Sequence, residues 1–320
     1  VDFRLVERAY SEREECPSVI LANLHGTIDM ARNLSALEEI IELGHRQGAN
    51  MIMFPELAVS GYVWDTPRKE DVKDHLRAAA IGQLQNWIRN IVDSLRTDGR
   101  GLEYVFFGTT REEGDDLYNS AFVLHPHVDY TSEELIYDKI FIPHVERPYF
   151  LRGSDKRLTI NTKWGRLGFM ICYDLCFVEL SRRYAFIDHV DAIVTLASWR
   201  SEATREYPLM NVKTDHYYGF LWDLMNSSKA AYNQVWSLGV NAVGTHDLSG
   251  VMFWGGSGIW APSGLRLLQA SNVKQEVLLV RNLDLHGQRL LEHDDFNYRI
   301  DFESVYRPME AVEPVVEHLD

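Results

Sequence analysis

Cys172, in the stretch Gly165 to Arg182 (GRLGFMICYDLCFVELSR), is the residue whose surroundings best suit nucleophilic chemistry. The apolar run Leu167 to Ile171 follows a Gly-Arg turn signal and reads as a buried strand, whereas Phe177 to Ile187 has helical spacing. A cysteine at such a strand-to-helix junction stands where open α/β sheets bind ligands, and the free N–H groups of a following helix favour a thiolate. The competing reading is a small buried hydrophobe, a common role for cysteine. Cys176 lies four residues on, on the same helical face, and is expected to pack, since nothing near it supplies a second base.

Such a cysteine needs a scaffold, and the composition supplies one. The 320 residues have room for two average domains or one large α/β domain. A hydrophobic fraction of 46% and a charged fraction of 25% are ordinary for a globular chain with a sizeable core. With 32 Lys and Arg against 47 Asp and Glu the formal charge is −15, and no basic run is present to neutralise phosphates. Nucleic acid and anionic membrane surfaces are therefore not expected partners. Cys16, Cys172 and Cys176 show no metal-like pairing with histidine and cannot all pair with one another, so a reducing cytoplasmic setting is the simplest. His125 and His127 lack further ligands in sequence, and no metal or other cofactor is expected. The N-terminal stretch is too charged for a signal peptide, and no apolar run approaches the roughly 18 residues of a membrane span.

The positioning elements follow from periodicity. Strand Ser18 to Leu24, a helix between Asp29 and Gln47 stopped by Gly48, and strand Asn50 to Phe54 form a parallel crossover that leaves Glu56 beyond the second strand. A second amphipathic helix runs from Ile81 to Leu95. Short strands at Tyr104 to Gly108, Ser120 to Leu124 and Glu134 to Lys139 come next, then a Pro- and Gly-containing loop. The strand ending at Ile171, the helix Phe177 to Ile187 and the strand Ala192 to Leu196 repeat the first plan. A long helix is expected over Leu209 to Lys229, with strands at Val235 to Val240, Gly258 to Trp260, Arg266 to Gln269 and Val277 to Asn282 completing the sheets. Residues 1–17 read as an N-terminal extension, 18–284 as one domain, and 285–320 as an acidic, irregular C-terminal arm. Gly256 to Ala261 formally matches a dinucleotide fingerprint, but Pro262 and Gly264 stand where its helix would begin, so that reading is rejected.

Three motifs occur in order: FPELAVSGY (Phe54 to Tyr62), YDKIFIP (Tyr137 to Pro143) and ICYDLCFVELSR (Ile171 to Arg182). With VERPYFLRG (Val145 to Gly153), NQVWSLGVNAVG (Asn233 to Gly244) and GGSGIWAPSG (Gly255 to Gly264), they resemble the nitrilase, or carbon-nitrogen hydrolase, superfamily. The resemblance implies a single-domain, four-layer α-β-β-α sandwich and a catalytic set of Glu56, Lys139 and Cys172 supported by Glu146. In that set Glu56 takes the thiol proton, because a thiol with an ordinary pKa of about 8.5 is mostly protonated near neutral pH. Lys139 and the backbone N–H of Tyr173 would stabilise an oxyanion. Taken singly, Glu56 reads equally as a solvated acid and Lys139 as a protective edge-strand lysine. Glu133 and Glu134 also lie near Lys139 in sequence, and the motif context selects Glu146. Tyr62 and Trp199 lie just past strands whose ends should form a pocket, and are either aromatic walls of that pocket or ordinary packing.

Two departures from the family pattern stand out. Val178 occupies the usual proline position after the cysteine, and the Arg-Ala-x-Glu-Asn segment appears as Lys229-Ala230-Ala231-Tyr232-Asn233. The resemblance implies a cysteine hydrolase of non-peptide C–N bonds acting on a small molecule, most simply a small aliphatic or carboxylic amide, and a homo-oligomer. Tyr173-Asp174 resembles the amidase branch, where nitrilases carry Trp-Glu. N-carbamoyl amine hydrolysis, nitrile hydrolysis and a catalytically idle binding protein are the alternatives.

Overall fold

The computed structural model of the protein describes residues 2–62, 69–95 and 101–306. The first half of the chain forms β1 (Arg4–Ala9), β2 (Val19–Asn23), α1 (Met30–Gln47), β3 (Met51–Met53), α2 (Lys69–Ala78), α3 (Gln85–Ser94), β4 (Tyr104–Glu113), β5 (Asp116–Leu124) and β6 (Ile136–Asp138). The second half begins with β7 (Thr159–Thr162), β8 (Gly165–Ile171), α4 (Val178–Phe186) and β9 (Ala192–Ala197). After these come β10 (Arg205–Tyr207), β11 (Val212–Thr214), α5 (Tyr217–Asn233) and β12 (Trp236–Asn241). It closes with β13 (Val243–Thr245), β14 (Met252–Trp254), β15 (Gly258–Trp260), β16 (Arg266–Gln269), β17 (Glu276–Arg281), α6 (Leu285–Asp295) and α7 (Tyr298–Val305).

Two large sheets form, one ordered β1-β17-β2-β3-β4-β5-β6 and the other β16-β15-β12-β9-β8-β7. The period-2 alternation of the strands decides which side chains meet. Val19 and Leu21 of β2, with Met51 and Met53 of β3, enter the core between the sheets. Ile20, Ala22 and Ile52 point the other way, onto Leu37, Ile40 and Ile41 of α1. Phe106 of β4 and Phe169 of β8 pack across the sheets with ring centroids 5.2 Å apart. On the outer face of the second sheet Gly168 leaves room for Tyr184 of α4, since a Cβ there would lie 2.6 Å from the ring. The result is the α-β-β-α sandwich.

Local capping sets the first crossover. The Asp29 carboxylate accepts from the Arg32 N–H at 3.1 Å, and Gly48 at φ 64° ends α1 in the left-handed region that glycine adopts without strain. Strands β2 and β3 then pair in parallel, as do β8 with β9 and β9 with β12. The chain therefore leaves β3, β8 and β9 at their carboxyl ends, delivering Glu56, Cys172 and Ser198.

Three segments differ from the sequence-based expectation. Residues 4–9 are not detached: they form β1, an edge strand parallel to β17, so the first strand of the fold precedes Ser18. The helix expected from Leu209 begins at Tyr217. Ahead of it β10 and β11 make an antiparallel hairpin, with Pro208 opening a 3-10 turn and Asn211 at φ 50°. Leu209, Met210 and Val212, at the start of the expected helix, are exposed. The region after Leu285 is helical rather than irregular. Asp284 and Asn297 cap α6 and α7 by accepting from the N–H groups of Gly287 and Ile300, and Phe302 packs edge-on against Phe186 at 5.4 Å. Residues 307–320 of the expected arm lie outside the described residues.

Candidate active site

Cys172 turns the chain from β8 into a short 3-10 helix (Cys172–Cys176) with a φ of 46°, a conformation uncommon for a residue bearing a Cβ. Asp174 holds this turn. Its buried carboxylate accepts from the Ile171 N–H at 3.0 Å, and also from Tyr137 Oη at 2.7 Å and the Phe141 N–H at 2.8 Å. One side chain thus ties the cysteine turn to the residues flanking Lys139. Burial pushes the Asp174 carboxyl up to about 6 against the opposing effect of these donors.

The thiol is not a ready-made thiolate. Burial first, and then the nearby Glu56, hold Cys172 well above the ordinary thiol range. The helix expected to favour negative charge at the cysteine starts only at Val178. Forming a thiolate here therefore requires a base.

Glu56 follows β3 in a tight turn packed on β4. Gly108 permits this, because a Cβ at that position would come 2.8 Å from Glu56 Cα and 2.7 Å from Leu57 N. The Glu56 Oε1 atom accepts from Lys139 Nζ at 2.7 Å and Asn119 Nδ2 at 2.7 Å, and Oε2 accepts from the Ser198 N–H at 2.8 Å. Lys139 lies just beyond edge strand β6 and points inward with no side-chain exposure, so it does not protect the edge. It donates a second bond to Glu146 Oε1 at 2.6 Å. Burial alone would lower the lysine's pKa, but Glu146 and Glu56 outweigh it and hold the ammonium above the usual lysine range. Glu146 is pushed up to about 7, first by burial and further by Glu56, against the pull of Lys139.

Asn119 was not singled out from the sequence. Its Nδ2 donates to Glu56 and, at 3.3 Å, to Glu146 Oε2, so it bridges both carboxylates. The signal was present: Asn119 shares a strand face with Leu117, Ala121 and Val123, and a polar residue at such an inward position needs a partner. The Ser198 N–H was missed because a backbone donor carries no sequence signature.

A cavity of about 460 Å³ opens over Cys172, and Tyr62, Glu146, Tyr173 and Trp199 all line it. Tyr62 donates from its hydroxyl to Glu146 Oε1 at 3.4 Å. Trp199 is fixed by its N–H to Asn241 Oδ1 at 2.7 Å and its indole N–H to the Tyr218 carbonyl at 2.7 Å. The Tyr173 N–H sits in the first turn of the 3-10 helix, where no intrahelical carbonyl is available to it. Cys176, besides packing, also reaches the cavity wall. Asp174 is not among the described residues lining it. Lys229 is buried behind the sheet, its Nζ 2.6 Å from Thr195 Oγ1, and burial lowers it to about 7. Among the described residues no group of three or more His, Cys, Asp or Glu is arranged to hold a metal.

A sequence model of the carbon-nitrogen hydrolase family matches residues 19–290. The chain belongs to the carbon-nitrogen hydrolase family. Among curated relatives of this carbon-nitrogen hydrolase, a probable nitrilase of Schizosaccharomyces pombe is 24% identical over 84% of this chain and 89% of its own length. An N-carbamoylputrescine amidase of Solanum tuberosum is 26% identical over 90% and 93%, and an (R)-stereoselective amidase of Pseudomonas sp. is 28% identical over 77% and 77%. Among solved structures, the superfamily protein XC1258 from Xanthomonas campestris shares the fold with a TM-score of 0.71 at 17% identity, over 89% of this chain and 97% of that one. An amidase from Nesterenkonia sp. AN1, with the acetamide moiety of fluoroacetamide covalently added at its active site cysteine, superposes with a TM-score of 0.66 at 18% identity, over 90% and 99%. This carbon-nitrogen hydrolase has no helix among the described residues long and apolar enough to cross a membrane.

Proposed function

We propose that the chain hydrolyses small carboxamides to the acid and ammonia through a thioester on Cys172. The observation that carries this reading is the buried Glu56–Lys139–Glu146 network with the buried Cys172 thiol beside it. Glu56 removes the thiol proton as sulfur attacks the amide carbon. Lys139 Nζ and the Tyr173 N–H receive the developing oxyanion. Glu56 then returns the proton to the leaving nitrogen, the C–N bond breaks, and the acyl group remains on sulfur. Water enters, giving its proton to Glu56, and its oxygen attacks the thioester to release the acid and the thiol. Glu146 keeps Lys139 oriented throughout. The surroundings of the buried thiol disfavour the thiolate, which is why the reaction needs a proton acceptor such as Glu56.

The ureido carbonyl of an N-carbamoyl amine is open to the same attack, and relatives named for that reaction align over 90% of this chain. A nitrile places its developing charge on nitrogen along a linear axis, away from donors arranged around a carbonyl oxygen. Association into a homo-oligomer belongs to the same reading, supported by the exposed Phe220 and Leu224 on one face of α5 beside the apolar hairpin.

Ammonia release across matched amides, N-carbamoyl amines and nitriles, with acid-quenched intact-protein mass spectrometry, tests the proposal. A small amide should leave an acyl mass on Cys172 that water or hydroxylamine removes, and Cys172→Ala should abolish both adduct and turnover while Cys176→Ala forms the same adduct. Faster turnover of a nitrile than of every matched amide would overturn the bond type.

A further inference from the structure

We infer that Asn119 is a positioning residue of this centre, one whose side-chain amide occupies Glu56 Oε1 and Glu146 Oε2 so that Glu56 Oε2 is the oxygen left to take the thiol proton. This rests on the reading above, in which Glu56 is the base for amide hydrolysis.

Asn119 is buried on β5, and its backbone carbonyl accepts from the Lys139 N–H at 2.9 Å. Strands β5 and β6 pair through Ser120 and Asp138, so the sheet itself sets the amide against the lysine. From there Nδ2 donates to Glu56 Oε1 at 2.7 Å and to Glu146 Oε2 at 3.3 Å. The other end of the amide is left over: Asn119 Oδ1 is buried with no hydrogen-bond partner among the described residues. A buried acceptor without a donor is costly and uncommon. Turning the amide would not relieve it, because Oδ1 would then face two carboxylate oxygens. The fold keeps one orphan oxygen, and two donors thereby reach the carboxylates.

The donors distinguish the two oxygens of Glu56. A carboxylate oxygen has room for about two of them. Oε1 receives Lys139 Nζ and Asn119 Nδ2, both at 2.7 Å, and is full. Oε2 receives the Ser198 N–H at 2.8 Å and keeps a lone pair. The proton that leaves the Cys172 sulfur, and later the one that leaves water, is taken up and returned there. Asn119 also bears on whether the carboxylates are ionised. The titratable groups that face Glu56 and Glu146 are Lys139 beyond β6, Cys172 beyond β8 and Tyr62 beyond β3, with Arg200 over the Tyr62 ring at 5.7 Å. Burial first, and then Glu56, raise the Glu146 carboxyl to about 7 against the pull of Lys139 and Asn119. Without the Asn119 donor, Glu146 keeps its proton to higher pH, and Glu56 loses one of the two donors on Oε1. Lys139, Tyr62 and Cys172 are unchanged by a substitution at position 119, so a displaced titration reports on the amide.

Two measurements on the full chain test this. In the first, the pH profile of kcat/KM for a small amide is compared in the wild type, Asn119→Leu, which is close in size and has no donor, and Asn119→Asp, which has the same shape and a third carboxyl group. Asn119→Leu should lower kcat/KM at pH 7 by about ten- to a hundredfold and displace its rise upward by about one pH unit, the size expected of one hydrogen bond to a charged group. Raising the pH should then recover much of the loss in Asn119→Leu and none in Asn119→Asp, whose ionised group repels both carboxylates. Asn119→Ser, smaller and with one donor, should show a lesser displacement, and reads the role if Asn119→Leu does not fold. In the second, which needs no turnover, infrared difference spectra are titrated with pH. The acid carbonyl band that Glu146→Gln removes should vanish about one pH unit higher in Asn119→Leu than in the wild type. Coincident band and kcat/KM midpoints in the two proteins, or a loss equal at every pH, would overturn the positioning role and leave the amide reading standing. A displaced band in a chain whose wild type turns over no amide would keep the hold of Asn119 on the carboxylates and overturn the amide reading.

Discussion

Lys139 Nζ lies 2.7 Å from Glu56 Oε1, although the two residues are 83 positions apart and neither side chain is exposed to solvent. In a buried lysine between two buried carboxylates, removal of the lysine leaves both carboxylates without their counter-charge. Function and stability are therefore coupled here, and variants must separate them.

Glu56→Gln keeps the size of the side chain and removes the proposed base, so kcat should fall by about 10²–10⁴ with the fold retained. Lys139→Met should lose comparable activity through the oxyanion, and should also lose about 3–5 kcal/mol of stability, because Glu56 and Glu146 stay behind unpaired. Adding Glu146→Gln to Lys139→Met should restore much of the stability and none of the activity. Urea denaturation with single-turnover kinetics reads both effects, and near-normal turnover of Glu56→Gln under saturating substrate would remove it as the base.

Asp174 is expected to act at a distance from substrate. Its carboxylate accepts three hydrogen bonds that join Ile171, beside Cys172, to Tyr137 and Phe141, on either side of Lys139. In Asp174→Asn one oxygen becomes a donor that faces donors, a loss on the order of 1–3 kcal/mol. We expect kcat to fall with little change in KM, and the alkylation rate of Cys172 to change with it. Unaltered alkylation and kcat in a destabilised variant would leave Asp174 a purely structural residue.

Glu146 ties activity and stability to pH with definite signs. Its carboxyl is raised from 4.5 to about 7 in the folded chain, so between these values the folded state holds a proton that the unfolded state has lost. This group's contribution to stability is greatest below about 4.5 and declines as pH rises through about 7. The ionised form is the one that accepts fully from Lys139, so kcat should rise over the window in which stability falls. Denaturation midpoints at pH 5 and 8 should differ less in Glu146→Gln than in the wild type, and the rise in kcat near pH 7 should be lost in that variant. A midpoint difference unchanged by Glu146→Gln would assign the pH dependence elsewhere.

The sequence by itself determined the local order of this protein. Period-2 and period-3.6 patterns placed the two strand-helix-strand units, the Asp29 and Gly48 signals bounded α1, and the three motifs with the VERPYFLRG segment selected Glu56, Lys139, Cys172 and Glu146, which the fold brings together. Such signals are legible because each depends on neighbours within one or two turns of chain. Tertiary structure alone decided the rest. Strand β1 pairs with residues more than 270 positions away, the Ser198 N–H reaches Glu56 across 142, and Asn119 reaches it across 63. Alternation says that Asn119 faces inward, but not that two carboxylates await it. Leu209, Met210 and Val212 stand where a helix was expected, yet they lie exposed at an antiparallel hairpin whose pairing the local pattern does not convey. Likewise the state of the Cys172 thiol follows from burial and from the charges around it, which strand-end position cannot convey, because desolvation and Coulomb interactions depend on distance in space rather than along the chain.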